Sequence, residues 1–442
     1  MDPLILGVII MGLALAVMLT GLPIAFSLGL VSIGATVLLL DTYQFNNIGN
    51  VIYAGLDNFA LLAIPLFILM GAVFSATRAS SDLYDAVQKW FGRLPGGLAI
   101  TSVVVSAIFA ALCGSSPATA AAVGSAGIPE MRKRGYSNAV ASGAIVAGGT
   151  LGILIPPSIT LILYGIAVEV SIGKLFLGGV LPGVMLTLMF SMWIVTAVLL
   201  ENRGLAAGSD ESGVIISSYS WKERLSSLVQ VIPFVLLILA VLGSLYGGIA
   251  TPSESAGVGA IIALLLVTVI YRTMNLKKLM EILVTAVRET TMILMIIAFA
   301  LVISVTLSYL SVPQELAAAI AQLEISRWWI MVAINIFLLA LGCFIPPAAI
   351  VVMTSPILYP IIMVLNFDPL WFGVIMTVNM EAGLITPPVG LNLYVVKGIA
   401  PDIPLHDILK GAIPYVIIIL LAIVLLSVFP QVITWLPNHV MN

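Results

Sequence analysis

Charged residues are scarce in this chain. Asp, Glu, Lys and Arg together make up 8% of its 442 residues, whereas soluble globular proteins carry about 25%. So few charges cannot cover a large hydrophobic core, and this excludes an ordinary soluble protein. Hydrophobic residues instead reach 61%, the mean hydropathy is +1.20, and apolar runs of about 20 residues recur, as membrane-spanning helices require. The composition predicts an all-α polytopic membrane protein.

Histidine is almost absent as well. The two histidines are His406 and His439, and we expect the first to lie in a loop and the second at the C-terminus. An intramembrane protease needs a Ser/His pair, an Asp pair or a metal cluster at membrane depth. The sequence has no Gly-Xaa-Ser-Xaa-Gly elbow with a partner histidine and no Walker motif. We therefore expect a protein without catalytic residues that is not an enzyme.

A helix break interrupts the apolar sequence at Gly114-Ser115-Ser116-Pro117. Proline lacks an N–H and disfavours helix at the residue before it, while glycine and serine favour caps and turns. Basic residues flank this stretch on both sides, at Arg93 and at Arg132-Lys133-Arg134, so the positive-inside rule places both ends in the cytoplasm. Residues 97–130 are predicted to form a re-entrant helical hairpin. A pair of tight spans with an external turn is the alternative.

A second break falls within residues 139–168, at Gly148 to Ser158. Its three glycines and two adjacent prolines loosen the backbone and remove hydrogen-bond donors. Irregular backbone at membrane depth is tolerated only where protein or a water-filled cavity satisfies it, and transporters place ions and substrates there. The carbonyls of this break are therefore candidate cation ligands.

The second half of the chain repeats these features. Gly152-Xaa-Xaa-Xaa-Pro156-Pro157 matches Gly383-Xaa-Xaa-Xaa-Pro387-Pro388, and the Gly114 region matches the Gly342 region at nearly the same offset. Such an internal duplication is typical of transporters. Each half counts as about five spans plus one hairpin, and an odd number of spans inverts the second copy. Two hairpin tips would then meet two broken helices near the midplane.

The predicted domain organisation follows from this repeat. Residues 1–200 form the first repeat, 201–227 a cytoplasmic linker and 228–442 the second repeat, which contains a re-entrant hairpin at 328–365 and a broken helix at 370–397. Positive helix N-termini at the meeting point suit a carboxylate, while carbonyls and Ser and Thr hydroxyls suit Na⁺.

Three motifs resemble those of one family. They are the hairpin Gly-Ser-Ser-Pro-Ala-Thr-Ala, the break Gly-Ile-Leu-Ile-Pro-Pro-Ser and the break Gly-Leu-Ile-Thr-Pro-Pro-Val-Gly-Leu-Asn. Together they resemble the large membrane subunit of TRAP (tripartite ATP-independent periplasmic) transporters over essentially the whole chain. The resemblance implies a multi-pass protein of the bacterial inner membrane, a Na⁺-driven symporter with scaffold and elevator-type transport domains. It also implies two partners, a small membrane subunit on a separate chain and a periplasmic binding protein that delivers an organic acid.

The resemblance also implies where ligands bind. A first Na⁺ site would use Ser115 and Ser116 with the backbone of the first break, and a second would use the second hairpin tip with the second break. The substrate carboxylate would lie between the two tips. The implied residues are, for the first Na⁺ site, Ser115, Ser116, Gly152, Ile155 and Pro156; for the second, Gly342, Gly383, Thr386 and Pro387; for the substrate, Ser116, Thr119, Ser158 and Asn392.

The sequence leaves open which organic acid is the substrate, with sialic acid and C4-dicarboxylates as the candidates. In the second hairpin, Pro346-Pro347 stands where some relatives are expected to have an acidic residue, and this favours sialic acid over C4-dicarboxylates. A stand-alone Na⁺-coupled carboxylate carrier without a binding protein is a further alternative. A channel fits less well, since paired inverted hairpins suit alternating access better than a continuous pore.

Overall fold

The computed structural model describes residues 2–206 and 219–441, and for residues 202–206 it describes only the backbone. Within these residues the chain is helical and contains no β-strand. Among the described residues, six helices are long and apolar enough to cross a membrane, and a seventh span is added if a helix pair bent by 62° counts as one. The prediction of an all-α polytopic membrane protein is confirmed.

The first half contains ten α-helices among the described residues. They are α1 Pro3–Leu19, α2 Ile24–Leu39, α3 Thr42–Leu56, α4 Ala63–Ser75 preceded by a 3-10 turn Phe59–Leu62, α5 Ala79–Phe91, α6 Gly97–Cys113, α7 Ser116–Lys133, α8 Asn138–Thr150 followed by a 3-10 turn Leu151–Ile153, α9 Ile159–Ala167 and α10 Ile172–Ala206.

The second half contains ten more in the part that the structure covers. They are α11 Trp221–Tyr246, α12 Pro252–Leu266 followed by a π turn Val267–Tyr271, α13 Leu276–Tyr309, α14 Val312–Ala321, α15 Arg327–Gly342, α16 Pro347–Val364, α17 Pro369–Leu384, α18 Leu391–Ile399, α19 Leu405–Val428 and α20 Gln431–Val440.

Two of these bounds differ from the sequence-based expectation. The basic segment at Lys277-Lys278 and the span from Thr290 belong to one continuous helix, α13, because no glycine or proline interrupts that stretch. The linker between helices is shorter than the predicted 201–227. Helix α10 continues to Ala206, and α11 begins at Trp221 with Ser220 as its N-cap. Residues 207–218 of that linker lie outside the described residues.

Both predicted hairpins are pairs of antiparallel helices. In the first, the Leu98 N–H near the start of α6 donates to the Tyr136 hydroxyl beyond the end of α7 at 3.3 Å. In the second, the Arg327 guanidinium at the start of α15 donates to the carbonyls of Leu365 and Asn366 beyond α16, at 3.4 and 3.3 Å. The chain therefore reverses at each tip. The side from which each hairpin enters the membrane stays a prediction.

The two halves pack across each other. The second helix of each hairpin contacts the helix that follows the break in the other half, so that α7 packs against α18 and α16 packs against α9. The helix before each break also contacts a helix of the other half. In the first half this helix is α8, which packs against α19, and in the second half it is α17, which packs against α10. A separate set of contacts joins α2 to α13 and α4 to α12 and α13. This arrangement accords with an inverted repeat, which itself stays a prediction together with its domain boundaries.

The hairpin topology can be tested by single-cysteine labelling in membrane vesicles. In a chain whose two native cysteines are replaced, Leu94→Cys and Lys133→Cys stand at opposite ends of the first hairpin. Because a re-entrant hairpin has both ends on one side, both should react with a membrane-impermeant maleimide only from the cytoplasmic face. Glu324→Cys, before the second hairpin, should react only from the outside. Labelling of positions 94 and 133 from opposite faces would contradict the topology.

Candidate functional site

The tip of the first hairpin lies directly against the broken helix that follows it. Gly114 ends α6 in the left-handed conformation with φ 59°, and a Cβ at this position would lie 2.9 Å from the Pro157 carbonyl oxygen. Both the backbone conformation and the close approach therefore require glycine. Ser115, the next residue, is the N-cap of α7.

Gly152 makes the second close approach at this tip. A Cβ on Gly152 would lie 2.6 Å from the Ser115 carbonyl oxygen and 2.9 Å from Ser116 Cα. The structure therefore brings together three of the residues of the first predicted Na⁺ site. The other two, Ile155 and Pro156, follow in the same break. The Ile155 side chain packs towards α10, where a Cβ on Gly183 would meet its Cγ1 at 2.6 Å.

Asn392 connects the second half to this tip. Its Nδ2 donates to Ser116 Oγ at 3.0 Å and to the Val146 carbonyl at 3.3 Å, while Ser116 Oγ donates to the Gly149 carbonyl at 2.7 Å. Both side chains are fully buried. Asn392 Oδ1 is buried without a hydrogen-bond partner among the described residues, so one acceptor remains available at the junction of the halves.

The other two predicted substrate residues satisfy helix ends. Thr119 Oγ1 donates to the Ser115 carbonyl at 2.9 Å. Ser158 caps α9, since its hydroxyl accepts from the Leu161 N–H at 3.2 Å and donates to the Ile153 carbonyl. Orphan groups at helix ends need such partners. Thr119 therefore lies at the tip with Ser116, whereas the hydrogen bonds of Ser158 stay within its own segment.

The second tip and the second break repeat this contact. A Cβ on Gly383 would lie 2.6 Å from the Gly342 carbonyl carbon, and one on Gly342 would lie 3.1 Å from Gly383 Cα. The N–H groups of Val389 and Gly390 both donate to the Cys343 carbonyl, at 3.2 and 3.4 Å. Two residues of the second predicted Na⁺ site are therefore adjacent at the backbone.

Thr386 and Pro387 complete the second predicted Na⁺ site. Thr386 Oγ1 donates to the Ala382 carbonyl at 2.6 Å, so its hydroxyl already serves the end of α17. The Pro387–Pro388 bond is cis, as is the Pro156–Pro157 bond. The assignment of all these residues to Na⁺ and substrate stays a prediction.

A cavity of about 490 Å³ opens beside the first tip. Such a volume suits a small organic molecule. The first hairpin and the start of α9 contribute Cys113, Ser115 and Ile159 to its lining, and α4 and α13 contribute most of the rest. Ser115 Oγ has no hydrogen-bond partner in the part of the chain that the structure describes, so a hydroxyl at the tip is free to bind a ligand.

Several polar residues that are prominent in the structure were not among the residues predicted from the sequence. Glu381 in α17 is fully buried, and neither carboxylate oxygen has a hydrogen-bond partner among the described residues. Asn379, on the same helix, donates through Nδ2 to the side-chain oxygen of Asn335 at 3.0 Å. Glu289 in α13 lines the cavity. A signal was present in each case, because polar and ionisable residues inside apolar runs are costly and are usually functional.

These features define a class of protein. Hairpins whose tips touch broken helices inside an apolar helical bundle form the architecture of secondary transporters. Comparison with known proteins agrees: the family model described as "Tripartite ATP-independent periplasmic transporter, DctM component" matches residues 11–432. The chain belongs to this family. It is therefore a multi-pass protein of the bacterial inner membrane and a transporter permease subunit, not an enzyme.

Individual relatives cover nearly the whole chain. A Pseudomonas aeruginosa protein named "C4-dicarboxylate TRAP transporter large permease protein DctM" is 38% identical over 93% of this chain and 94% of its own length. A Vibrio cholerae "Sialic acid TRAP transporter large permease protein SiaM" is 30% identical over 96% of each. The solved Alcanivorax borkumensis YdaH transporter has a TM-score of 0.62 at 16% identity, covering 89% of this chain and 90% of its own, and shows likeness of fold alone.

The glycine contact at the second tip generates a stability prediction. In Gly383→Ala the new Cβ meets the Gly342 backbone, which cannot rotate away, so the substitution should cost about 1–3 kcal/mol as overpacking does. Thermal unfolding in detergent should show a lower Tm. Gly398→Ala is the matched control, since a Cβ there meets nothing within 4 Å and alanine favours the helix. An unchanged Tm in Gly383→Ala would contradict the contact.

Proposed function

We propose that this protein is the Na⁺-driven large membrane subunit of a tripartite transporter that imports a carboxylate-bearing organic acid. The observation that supports the proposal is the Ser115 hydroxyl, which has no hydrogen-bond partner among the described residues and lines a cavity of about 490 Å³ where the first hairpin tip touches the first break. A periplasmic binding protein delivers the acid, and a small membrane subunit on a separate chain accompanies the permease. The group formed by the hairpins and broken helices moves against α2, α4, α12 and α13 in an elevator-type cycle.

Helix polarity supports an anionic substrate. Helices α7, α9, α16 and α18 all begin at a tip or a break. The first N–H groups of a helix have no partner within it, and the helix dipole adds positive potential there, so these ends favour a carboxylate. Asn392 and Thr119 stand beside the start of α7 and supply neutral polar groups that orient the acid.

Backbone geometry supports Na⁺ as the coupling ion. The breaks interrupt α8–α9 and α17–α18, and the carbonyls freed there are hard oxygen ligands of the kind that transporters use for Na⁺. Ser115 and Ser116 supply hydroxyl oxygens at the first tip. At the second tip the close contact of Gly342 with Gly383 allows backbone oxygens of two segments to face one ion.

The candidate substrates are C4-dicarboxylates and sialic acid. The Pseudomonas aeruginosa relative and a 36% identical Vibrio cholerae relative are named for C4-dicarboxylates, whereas the 30% identical relative is named for sialic acid. The sequence feature Pro346-Pro347 favours sialic acid, and the identities favour C4-dicarboxylates. Both acids carry the carboxylate that the helix N-termini suit.

Uptake into proteoliposomes tests the proposal. The permease and the small subunit are reconstituted with an inward Na⁺ gradient, and radiolabelled sialic acid or a C4-dicarboxylate is offered with or without the corresponding binding protein. Uptake of either acid that requires both Na⁺ and the binding protein is the expected result. Uptake without the binding protein would instead indicate a stand-alone carrier, and uptake indifferent to Na⁺ would contradict the coupling.

Ser115→Ala tests the first Na⁺ site. Loss of one hydroxyl ligand should raise the Na⁺ concentration for half-maximal uptake about ten-fold, equivalent to roughly 1.4 kcal/mol, while the fold is retained. Ser142→Ala is the matched control, because the buried Ser142 hydroxyl donates within its own helix to the Asn138 carbonyl at 2.6 Å. An unchanged Na⁺ dependence in Ser115→Ala would remove Ser115 from the site.

A further inference from the structure

One face of α13 forms a wall of the cavity beside the first tip. The residues of α13 that line it recur every three or four positions, as one side of a helix requires, and they are Lys278, Glu281, Ile282, Thr285, Glu289 and Ile293. The face therefore carries three charged side chains into the cavity, although the substrate proposed above is an anion.

These charges are not evenly distributed along the cavity. Lys278 and Glu281 lie one turn apart near the start of α13 and offset each other. Glu289 lies about 16 Å further along the helix from Lys278, at 1.5 Å per residue, which is too far for an ion pair between the two. Within the described ranges Glu289 makes no ion pair.

The rest of the cavity lining does not neutralise Glu289. Outside α13 the cavity is lined by small or uncharged residues of α4 and the first hairpin, among them Gly71, Ala72, Ser75, Ala118 and Ala122. Charge in a cleft with low-dielectric walls is felt more strongly than charge on an open surface, because the walls focus the field. None of the side chains that line the cavity outside α13 therefore cancels the charge of Glu289.

The mouth of the cavity is on the basic side of the protein. Lys277 and Lys278 lie in the first turn of α13, and Arg132, Lys133 and Arg134 lie at the end of α7, so the positive-inside rule predicts that this mouth faces the cytoplasm. Under the function proposed above, the imported acid would leave the first tip through this cavity, and a cytoplasmic anion would pass Glu289 to return.

We propose that Glu289 sets the charge selectivity of this cytoplasmic vestibule: it repels organic anions that approach the first tip from the cytoplasm and attracts monovalent cations. This inference rests on the proposed function, because it assigns the cavity to the exit route of the imported acid. Glu289 thereby lowers the apparent affinity for the anion on the cytoplasmic side and disfavours its re-export. It acts through its field and is not itself a ligand of the substrate.

A thiol-modification assay tests the field of Glu289 without any transport step. Cys113 lines the same cavity, and Cys343→Ala leaves it as the single cysteine, since the chain has two. The rates of modification of Cys113 by a cationic and by an anionic methanethiosulfonate reagent are compared. In Glu289→Gln the ratio of cationic to anionic rate should fall about three- to five-fold, as removal of one nearby charge predicts.

Two further variants keep this assay decisive. Glu324→Gln removes the same charge from the exposed segment between α14 and α15, away from the cavity, and should leave the ratio unchanged. If Cys113 reacts too slowly, Ala118→Cys in a chain with both native cysteines replaced by alanine provides a second reporter on the cavity wall. A ratio that Glu289→Gln does not change at either reporter would overturn the proposal.

Transport from the cytoplasmic side tests the consequence. In counterflow assays with the permease oriented so that its cytoplasmic face is loaded, Glu289→Gln should lower the KM for the anion at that face at least about two-fold, with little change in KM at the other face. An unchanged cytoplasmic KM would overturn the role in transport. If reconstitution gave no transport of any acid, the proposed function would be contradicted. The thiol assay would still test whether Glu289 sets the charge of the cavity, because it needs no transport step.

Discussion

The structure depends on one constraint, which is that polar backbone groups freed by a break in a membrane helix must find partners inside the protein. The fold meets this constraint by pressing each hairpin tip against a break. Gly114 and Gly152 permit the contact in the first half, and Gly342 and Gly383 permit it in the second. A side chain at any of these positions would separate the segments. The same contacts concentrate helix N-termini and carbonyls at two places, and this gives the protein its candidate binding centre.

The two centres are linked but chemically unequal. Asn392, which follows the second break, reaches Ser116 at the first tip, so the two halves share one hydrogen-bond network. The first tip also borders a cavity whose lining includes three charged residues of α13. The second hairpin instead borders a cavity of about 520 Å³ lined almost entirely by apolar side chains of α1, α14, α15 and α16. Of these two cavities, the one beside the first tip is therefore the one with charged side chains in its lining.

Much of this arrangement was predictable from local sequence. Glycine and proline fix the positions of the breaks, because they act through backbone conformation and need no distant partner. The hairpin predicted at 328–365 corresponds to α15 and α16, and the break predicted within 139–168 lies between α8 and α9. What sequence alone did not reveal depends on tertiary packing: the Ser116–Asn392 bond joins residues far apart in the chain, and the inward-facing side of α13 is decided by its neighbours. The fully buried Glu381 was visible as a charge in an apolar run, but its lack of a partner was not.

The central claim is that the touching tips and breaks form a binding centre for Na⁺ and a carboxylate together. Equilibrium binding of ²²Na⁺ to the purified permease, measured with and without a carboxylate ligand, tests it most directly. We expect saturable Na⁺ binding that tightens when the carboxylate is present, because both ligands would occupy adjoining parts of one centre and their coupling is reciprocal. Absence of saturable Na⁺ binding, or binding that the carboxylate does not alter, would contradict it.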